Sequence, residues 1–201
     1  SSMSDVSAFD SNTCGMSRRI AGSAIEGTRL TSLESHADAR GSFTEVFQAQ
    51  WATCIDPLQW SVVQSEFNVF RGMHLHLRHD EYFCLLSGEC LVGLLDCRSA
   101  DENKRPWALY ELHGSSPTAL TFPRGVLHGW YFKSRATHLQ AVSESYADYA
   151  ADDNIGVRWD DPDIPISWPM TEVLLSNAAQ GFSSLKGVLD AIHPPDRVSS
   201  L

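Results

Sequence analysis

Short runs rich in Val, Leu, Thr and aromatic residues, each closed by turn-forming residues, limit this chain to few architectures. QWSVVQSEF, EYFCLLSGE, CLVGLLD, WALYELH, TALTFP and HGWYF follow one another between residues 59 and 132. Ser87-Gly88, Arg98 to Pro106, Gly114 to Pro117 and Pro123-Arg124-Gly125 separate them. Runs this short at this spacing predict a β-sandwich or barrel. The first twenty residues are Ser-, Asp- and Gly-rich and read as a tail, with Ser1 and Ser2 before Met3 as an expression scar. Residues 151–171 are rich in Asp and Pro and predict irregular chain. Near the end, Phe182, Leu185, Val188, Leu189 and Ile192 fall on one helical face, which Pro194-Pro195 closes. The expectation is an all-β domain over residues 21–178, a tail over 1–20, and a short C-terminal helix and tail over 179–201.

The 201 residues suit one domain. Fifteen Lys and Arg against twenty-five Asp and Glu give a net charge of -10, which argues against nucleic acid or an anionic membrane surface as partner. One or two arginines holding a small anionic ligand are compatible with it. No apolar stretch approaches the roughly 18 residues of a membrane span, and the first residues lack the basic start and apolar core of a secretory leader. Cys14, Cys54, Cys84, Cys90 and Cys97 are odd in number and form no Cys-x-x-Cys pair, so a disulfide framework is not expected. A cytoplasmic protein fits these features.

Chemistry concentrates in Gly72-Met73-His74-Leu75-His76-Leu77-Arg78-His79-Asp80-Glu81. On a strand, His74 and His76 point to one face; Glu81 can return to it after a bend. Gly88 permits the turn into the next strand, and Pro123-Arg124-Gly125-Val126-Leu127-His128 supplies a third imidazole. His74, His76, Glu81 and His128 together suit one divalent Fe, Mn, Ni, Co or Zn ion. His-x-His, four residues, Glu, six residues, Gly, then Pro-x-Gly-x-x-His resembles the two-part metal signature of cupins. Pro117 stands upstream of the second part, where the signature usually has glycine. That resemblance implies a jelly-roll barrel (a double-stranded β-helix) with the metal inside.

A narrower resemblance covers about residues 36–177. Asp38-x-Arg40-Gly41-x-Phe43-x-Glu45-x-Phe47 opens it, followed by Gln59, Ser65, Arg71-Gly72-Met73-His74, Gly88 and Asp96-x-Arg98. Pro123-x-Gly125-x-x-His128-Gly129, Trp159-Asp160-Asp161-Pro162, Ile164-x-Ile166-x-Trp168-Pro169 and Leu175-Ser176 complete it. It is similar to the dTDP-4-dehydrorhamnose 3,5-epimerase family, a cupin-fold family of metal-free dimers that move protons beside the ketone of a dTDP-linked 4-keto-6-deoxyhexose. The resemblance implies nucleotide contacts from Arg40, Phe43, Glu45 and Gln59, and a diphosphate contact from Arg71, whose guanidinium geometry suits that task. It places the catalytic base at His74 and the catalytic tyrosine near Tyr146. It also implies a homodimer in which Arg40, Phe43 and Glu45 act on the partner's site.

Two positions depart from the family. Counting back from Gly88, Glu81 stands at the catalytic lysine; counting on from Leu175-Ser176, Ala179 stands at the aspartate that pairs with the base. A carboxylate opposes the enolate charge that lysine would stabilise, and His74 loses its orienting partner. A metal held by His76, Glu81, His74 and His128 would supply the missing electrophile. The leading expectation is a metal-assisted nucleotide-sugar epimerase or isomerase relative. A metal-dependent cupin oxygenase and a non-catalytic sugar-nucleotide-binding cupin are the alternatives. His79, His113 and His138 read as structural residues or, with Tyr146, as substitute bases. The Trp159 to Pro169 segment reads as packing under the barrel mouth. Asp152, Asp153, Asp160, Asp161 and Asp163 lack the glycine and terminal Glu of a calcium loop and read as a solvated loop.

Overall fold

The computed structural model describes residues 15–145 and 153–195. In chain order the strands are β1 (Arg18–Gly22), β2 (Arg29–Ser32), β3 (Ser35–Asp38), β4 (Gly41–Thr44), β5 (Gln59–Ser65), β6 (Phe70–Leu75), β7 (Glu81–Ser87), β8 (Glu89–Asp96), β9 (Trp107–His113), β10 (Thr118–Phe122), β11 (Val126–Phe132), β12 (Ala136–Val142) and β13 (Ile155–Gly156). Two helices follow, α1 (Asn177–Gln180) and α2 (Leu185–Ile192). A six-stranded sheet, β1-β9-β8-β11-β6-β13, faces a five-stranded sheet, β2-β10-β7-β12-β5, and every strand pairing is antiparallel. This is the all-β barrel expected from the runs, with the jelly-roll form that the cupin resemblance implies. Among the described residues, no helix is long and apolar enough to cross a membrane.

Pleating divides the strands between three cores. Phe83, Leu85, Cys90, Val92, Leu94, Leu120, Phe122, Val126, Trp130 and Phe132 fill the space between the sheets. Their alternates Leu91, Leu95, Leu127 and Tyr131 lie on the outer face of the six-stranded sheet, where Ile164, Ile166, Leu185, Val188 and Leu189 cover them. Tyr82, Cys84, Ala119 and Ala141 face outward from the other sheet, beneath Val46, Phe47, Trp51 and Ile55. The Trp159 to Pro169 segment therefore packs on the back of a sheet, not under the barrel mouth. Gly93 makes room for it, since a Cβ there would lie 2.6 Å from Trp168 Cη2.

Three further sequence readings need correction. The tail over 1–20 overlaps β1, because Arg18 and Arg19 pair with Glu111 and Tyr110 at the sheet edge; a short polar edge strand has no periodic signal. β12 escaped the run count because its inward positions include His138 and Gln140, which break the apolar alternation. The aspartate cluster is not uniformly solvated. Asp161 is buried and its carboxylate accepts the Leu185 and Asp163 amides at 2.9 Å, fixing the start of α2. Asp153 is buried too, while Asp160 and Asp163 are exposed and Asp152 lies outside the described residues.

His138 is fully enclosed, its ring stacked on Phe83 at 4.4 Å and on Phe132 at 5.7 Å. Burial pushes its pKa from 6.5 down to about 4. The folded chain thus refuses a proton that the unfolded chain accepts below pH 6.5, so His138 contributes stability above that pH and loses it as pH falls towards 4. The loss reaches about 3 kcal/mol at 1.4 kcal/mol per pKa unit. Urea unfolding at pH 7 and pH 4 should show a smaller drop for His138→Gln than for the wild-type chain.

Candidate functional site

A cavity of about 280 Å³ opens between the sheets, lined by residues from β5, β6, β7, β11 and β12. Alternation places Gln59, Ser61 and Val63 of β5 on its wall and turns Trp60 and Val62 outward. Strict alternation along β6 would send Met73 and Leu75 inward with Arg71. Instead the pairing of β6 with β11 slips between His128 and Gly129, and Arg71, His74 and His76 all reach the cavity while Met73 and Leu75 join the outer core. Gly72 makes the slip possible: its φ is +114°, and a Cβ would stand 2.8 Å from the His128 carbonyl oxygen.

Glu81 is the electrostatic centre. It is 2 % exposed, and its Oε1 lies 3.0 Å from His76 Nε2, 3.6 Å from His79 Nε2 and 3.8 Å from His128 Nε2. Its Oε2 accepts Gln140 Nε2 at 3.3 Å, and Gln140 Oε1 faces His138 Nε2 at 3.1 Å. With the carboxylate ionised, the amide must present its NH2 to Glu81 and its oxygen to His138. Burial alone would raise the Glu81 pKa, but hydrogen bonds from His76 and His79, with the charges of His128 and His76, outweigh it and hold the carboxyl below its usual range.

The imidazoles divide by environment. Burial, then the neighbouring His76, lowers His74 to about 4, and burial lowers His128 to about 3, so both are neutral at pH 7. His76 goes the other way: burial opposes its charge, but the hydrogen bond and charge of Glu81 and the Asp153 carbonyl raise it above 6.5. His76, Glu81 and His128 offer ligand atoms within 4.8 Å of one another, and His76, His79 and Asp153 form a second such group. His76 Nδ1 meets the Asp153 carbonyl oxygen at 2.7 Å and His128 Nδ1 the Val126 carbonyl oxygen at 3.0 Å. With protons on those Nδ1 atoms, the Nε2 lone pairs turn to the cavity, as ligation requires.

His74 does not join these groups. Its ring centroid is 6.3 Å from that of His76 and 6.2 Å from that of His128, and it packs edge-on against Phe182 at 5.6 Å. The four-residue set read from the sequence thus comes together as three, with His74 in the same cavity but apart. Gln59 and Arg71 line the cavity, Arg71 donating to Ser65 Oγ at 2.9 Å and to the Gln64 carbonyl at 3.1 Å. Arg40, Phe43 and Glu45 do not reach it in their own chain. Arg40 pairs with Asp38 at the exposed tip of the β3–β4 hairpin, Phe43 is exposed on β4, and Glu45 accepts from Gln48. Tyr146 lies outside the described residues, and Ala179 is buried on α1. Sequence reading passed over Gln140, Ser61 and Asp153 as site residues; the only available signal was strand alternation around Gln59 and His138.

Comparison with known proteins gives a consistent result. The sequence model described as dTDP-4-dehydrorhamnose 3,5-epimerase matches residues 22–187. The chain is 28% identical over 173 residues to the dTDP-4-dehydrorhamnose 3,5-epimerase of Sinorhizobium fredii, covering 81% of this chain and 87% of that protein. It is 27% identical over 146 residues to the spore coat polysaccharide biosynthesis protein SpsL of Bacillus subtilis, covering 72% and 96%. Among solved structures, NovW, a 4-keto-6-deoxy sugar epimerase from Streptomyces spheroides, superposes with a TM-score of 0.73 at 26% identity, over 87% of this chain and 90% of that one.

Without metal, His76 should titrate above 6.5. In Glu81→Gln only the Asp153 contributions still oppose burial, so His76 should titrate lower than in the wild-type chain; histidine-resolved NMR across pH 4 to 8 checks both.

Proposed function

The chain belongs to the dTDP-4-dehydrorhamnose 3,5-epimerase family, and from that premise we propose that it is a nucleotide-sugar epimerase or isomerase acting on a dTDP-4-keto-6-deoxyhexose-type substrate. The supporting observation is the cavity itself, where neutral His74 and the Arg71 guanidinium face one space large enough for a sugar ring. Arg71, already fixed by Ser65 and Gln64, is the proposed diphosphate contact, and Gln59 a contact to the bound molecule. His74 Nε2 or Nδ1 takes the proton from the carbon beside the ketone; Tyr146 is the proposed acid on the sequence match alone.

Glu81 at the lysine position cannot stabilise an enolate oxygen, and the donor set fits a divalent ion: two neutral-type Nε2 lone pairs and an ionised carboxylate, each held by a second hydrogen bond. His76, Glu81 and His128 would hold it. A bound Fe, Mn, Ni, Co or Zn ion supplies the positive charge that a ketone oxygen needs as it becomes an oxyanion. Incubating dTDP-4-keto-6-deoxyglucose with the protein in heavy water should place deuterium on the carbons beside the ketone, and His74→Ala should slow this by about 10²-fold or more. No deuterium uptake by the wild-type protein would overturn the substrate class. Two histidines with one carboxylate also favour a second reading, an iron-dependent oxygenase, which oxygen consumption without nucleotide-sugar binding would support.

We also propose a homodimer in the cytoplasm. The β3–β4 hairpin hydrogen-bonds as a sheet of its own with Ser35–Asp38 wholly exposed, and a lone two-stranded hairpin is marginal in water. β5 is an edge strand carrying exposed Trp60 and Val62. A partner's sheet would cover both and bring Arg40, Phe43 and Glu45 towards its site. The described cysteines are all free, as a reducing compartment keeps them. Sedimentation should give twice the 22.3 kDa chain mass; a monomer would remove the hairpin residues from the site.

A further inference from the structure

His79 approaches Glu81 from the loop between β6 and β7, and its geometry repeats that of the two histidines already assigned to the cation. Its Nδ1 meets Asp153 Oδ2 at 2.9 Å, with Glu144 Oε2 at 3.7 Å, and its Nε2 points back to Glu81 Oε1 at 3.6 Å. Three imidazoles thus each have Nδ1 beside an oxygen acceptor and Nε2 turned towards the same carboxylate oxygen, at 3.0, 3.6 and 3.8 Å. Donors around an ion with bonds of about 2.1 Å stand roughly 3.4 Å apart when tetrahedral, and the three distances from Glu81 Oε1 to the imidazoles bracket that value. His79 is as enclosed as Glu81, at 3 % and 2 % exposure. Asp153 ties down the loop, accepting the Leu77 amide at 2.5 Å and the Arg78 amide at 2.9 Å through its two oxygens.

We propose that the cation site takes His79, and not His74, as its third imidazole, with Asp153 as the carboxylate that orients it. The assignment rests on the reading that a divalent ion occupies the cavity. A carboxylate on the far nitrogen of a ligating histidine fixes its tautomer and strengthens it as a donor. The arrangement also removes a conflict: a histidine bound to a metal cannot accept a substrate proton through that nitrogen, and His74, packed against Phe182, stays outside the ligand set. One cavity then contains both a complete cation site and a separate proton acceptor. Sequence spacing pairs His74 with His76 because both fall on one strand face; the fold pairs His76 with His79, whose rings stack at 4.0 Å.

Cobalt(II) titration of the metal-stripped full chain, read by visible absorbance and elemental analysis, separates the two assignments. His79→Gln and Asp153→Asn should each weaken cobalt binding about 10–100-fold and alter the visible bands, while His74→Ala should bind within about twofold of wild type with an unchanged spectrum. Thermal unfolding of each variant identifies any that fails to fold; Asp153→Asn, which keeps one acceptor oxygen, then carries the comparison. Loss of cobalt in His74→Ala with retention in His79→Gln and Asp153→Asn overturns the assignment and leaves the cation reading standing. A wild-type chain that binds no cobalt overturns both.

Discussion

One buried carboxylate organises this protein. Taking Glu81 out of water is costly unless charge and hydrogen bonds replace its solvation, and the barrel supplies them from two strands and a loop. His76 and His79 approach from the β6–β7 connection, His128 from β11 and Gln140 from β12. Each has its own second partner, so the arrangement is fixed from outside as well as inside. His138, clamped by aromatic rings, sets the Gln140 amide. Two separate positions of the chain, the Asp153 carbonyl and the Val126 carbonyl, set the histidine tautomers.

That arrangement bears directly on chemistry. A ring of imidazole lone pairs around an anion is a poor resting state without a proton or a cation between them. In the metal-free chain His76 is the imidazole that Glu81 helps to hold a proton, because that carboxylate raises its pKa against the effect of burial. His74 is different: it is enclosed, neutral and separate from that ring, and in the proposed reading it is the proton acceptor. Under the proposed assignment, membership of the epimerase family and a metal-type donor set are compatible, because different histidines would serve them.

The fold was largely legible from the residues. Runs such as EYFCLLSGE and CLVGLLD became β7 and β8, since apolar alternation reports burial directly. It failed where inward positions are polar: β12, with His138 and Gln140 facing in, is invisible to such a count because those residues serve the cavity. It failed again for Asp153 and Asp161, which composition places in a solvated loop. Their carboxylates are buried because backbone amides from Leu77, Arg78, Leu185 and Asp163 need acceptors, a demand created only when distant segments meet.

The sequence by itself determined the barrel, the family and the residue types of the cavity, because pleating and motif spacing act over a few neighbouring residues. Which histidines stand together was decided by the tertiary structure alone. The slip at Gly72 turns His74 and His76 to the cavity, Phe182 arrives from the C-terminal segment to occupy His74, and Asp153 arrives from 74 residues away to aim His79. Strand spacing fixes the face on which a side chain lies. The distance from its ring nitrogen to a common centre depends on bulges and on neighbours brought in from elsewhere in the chain, and local sequence does not encode these.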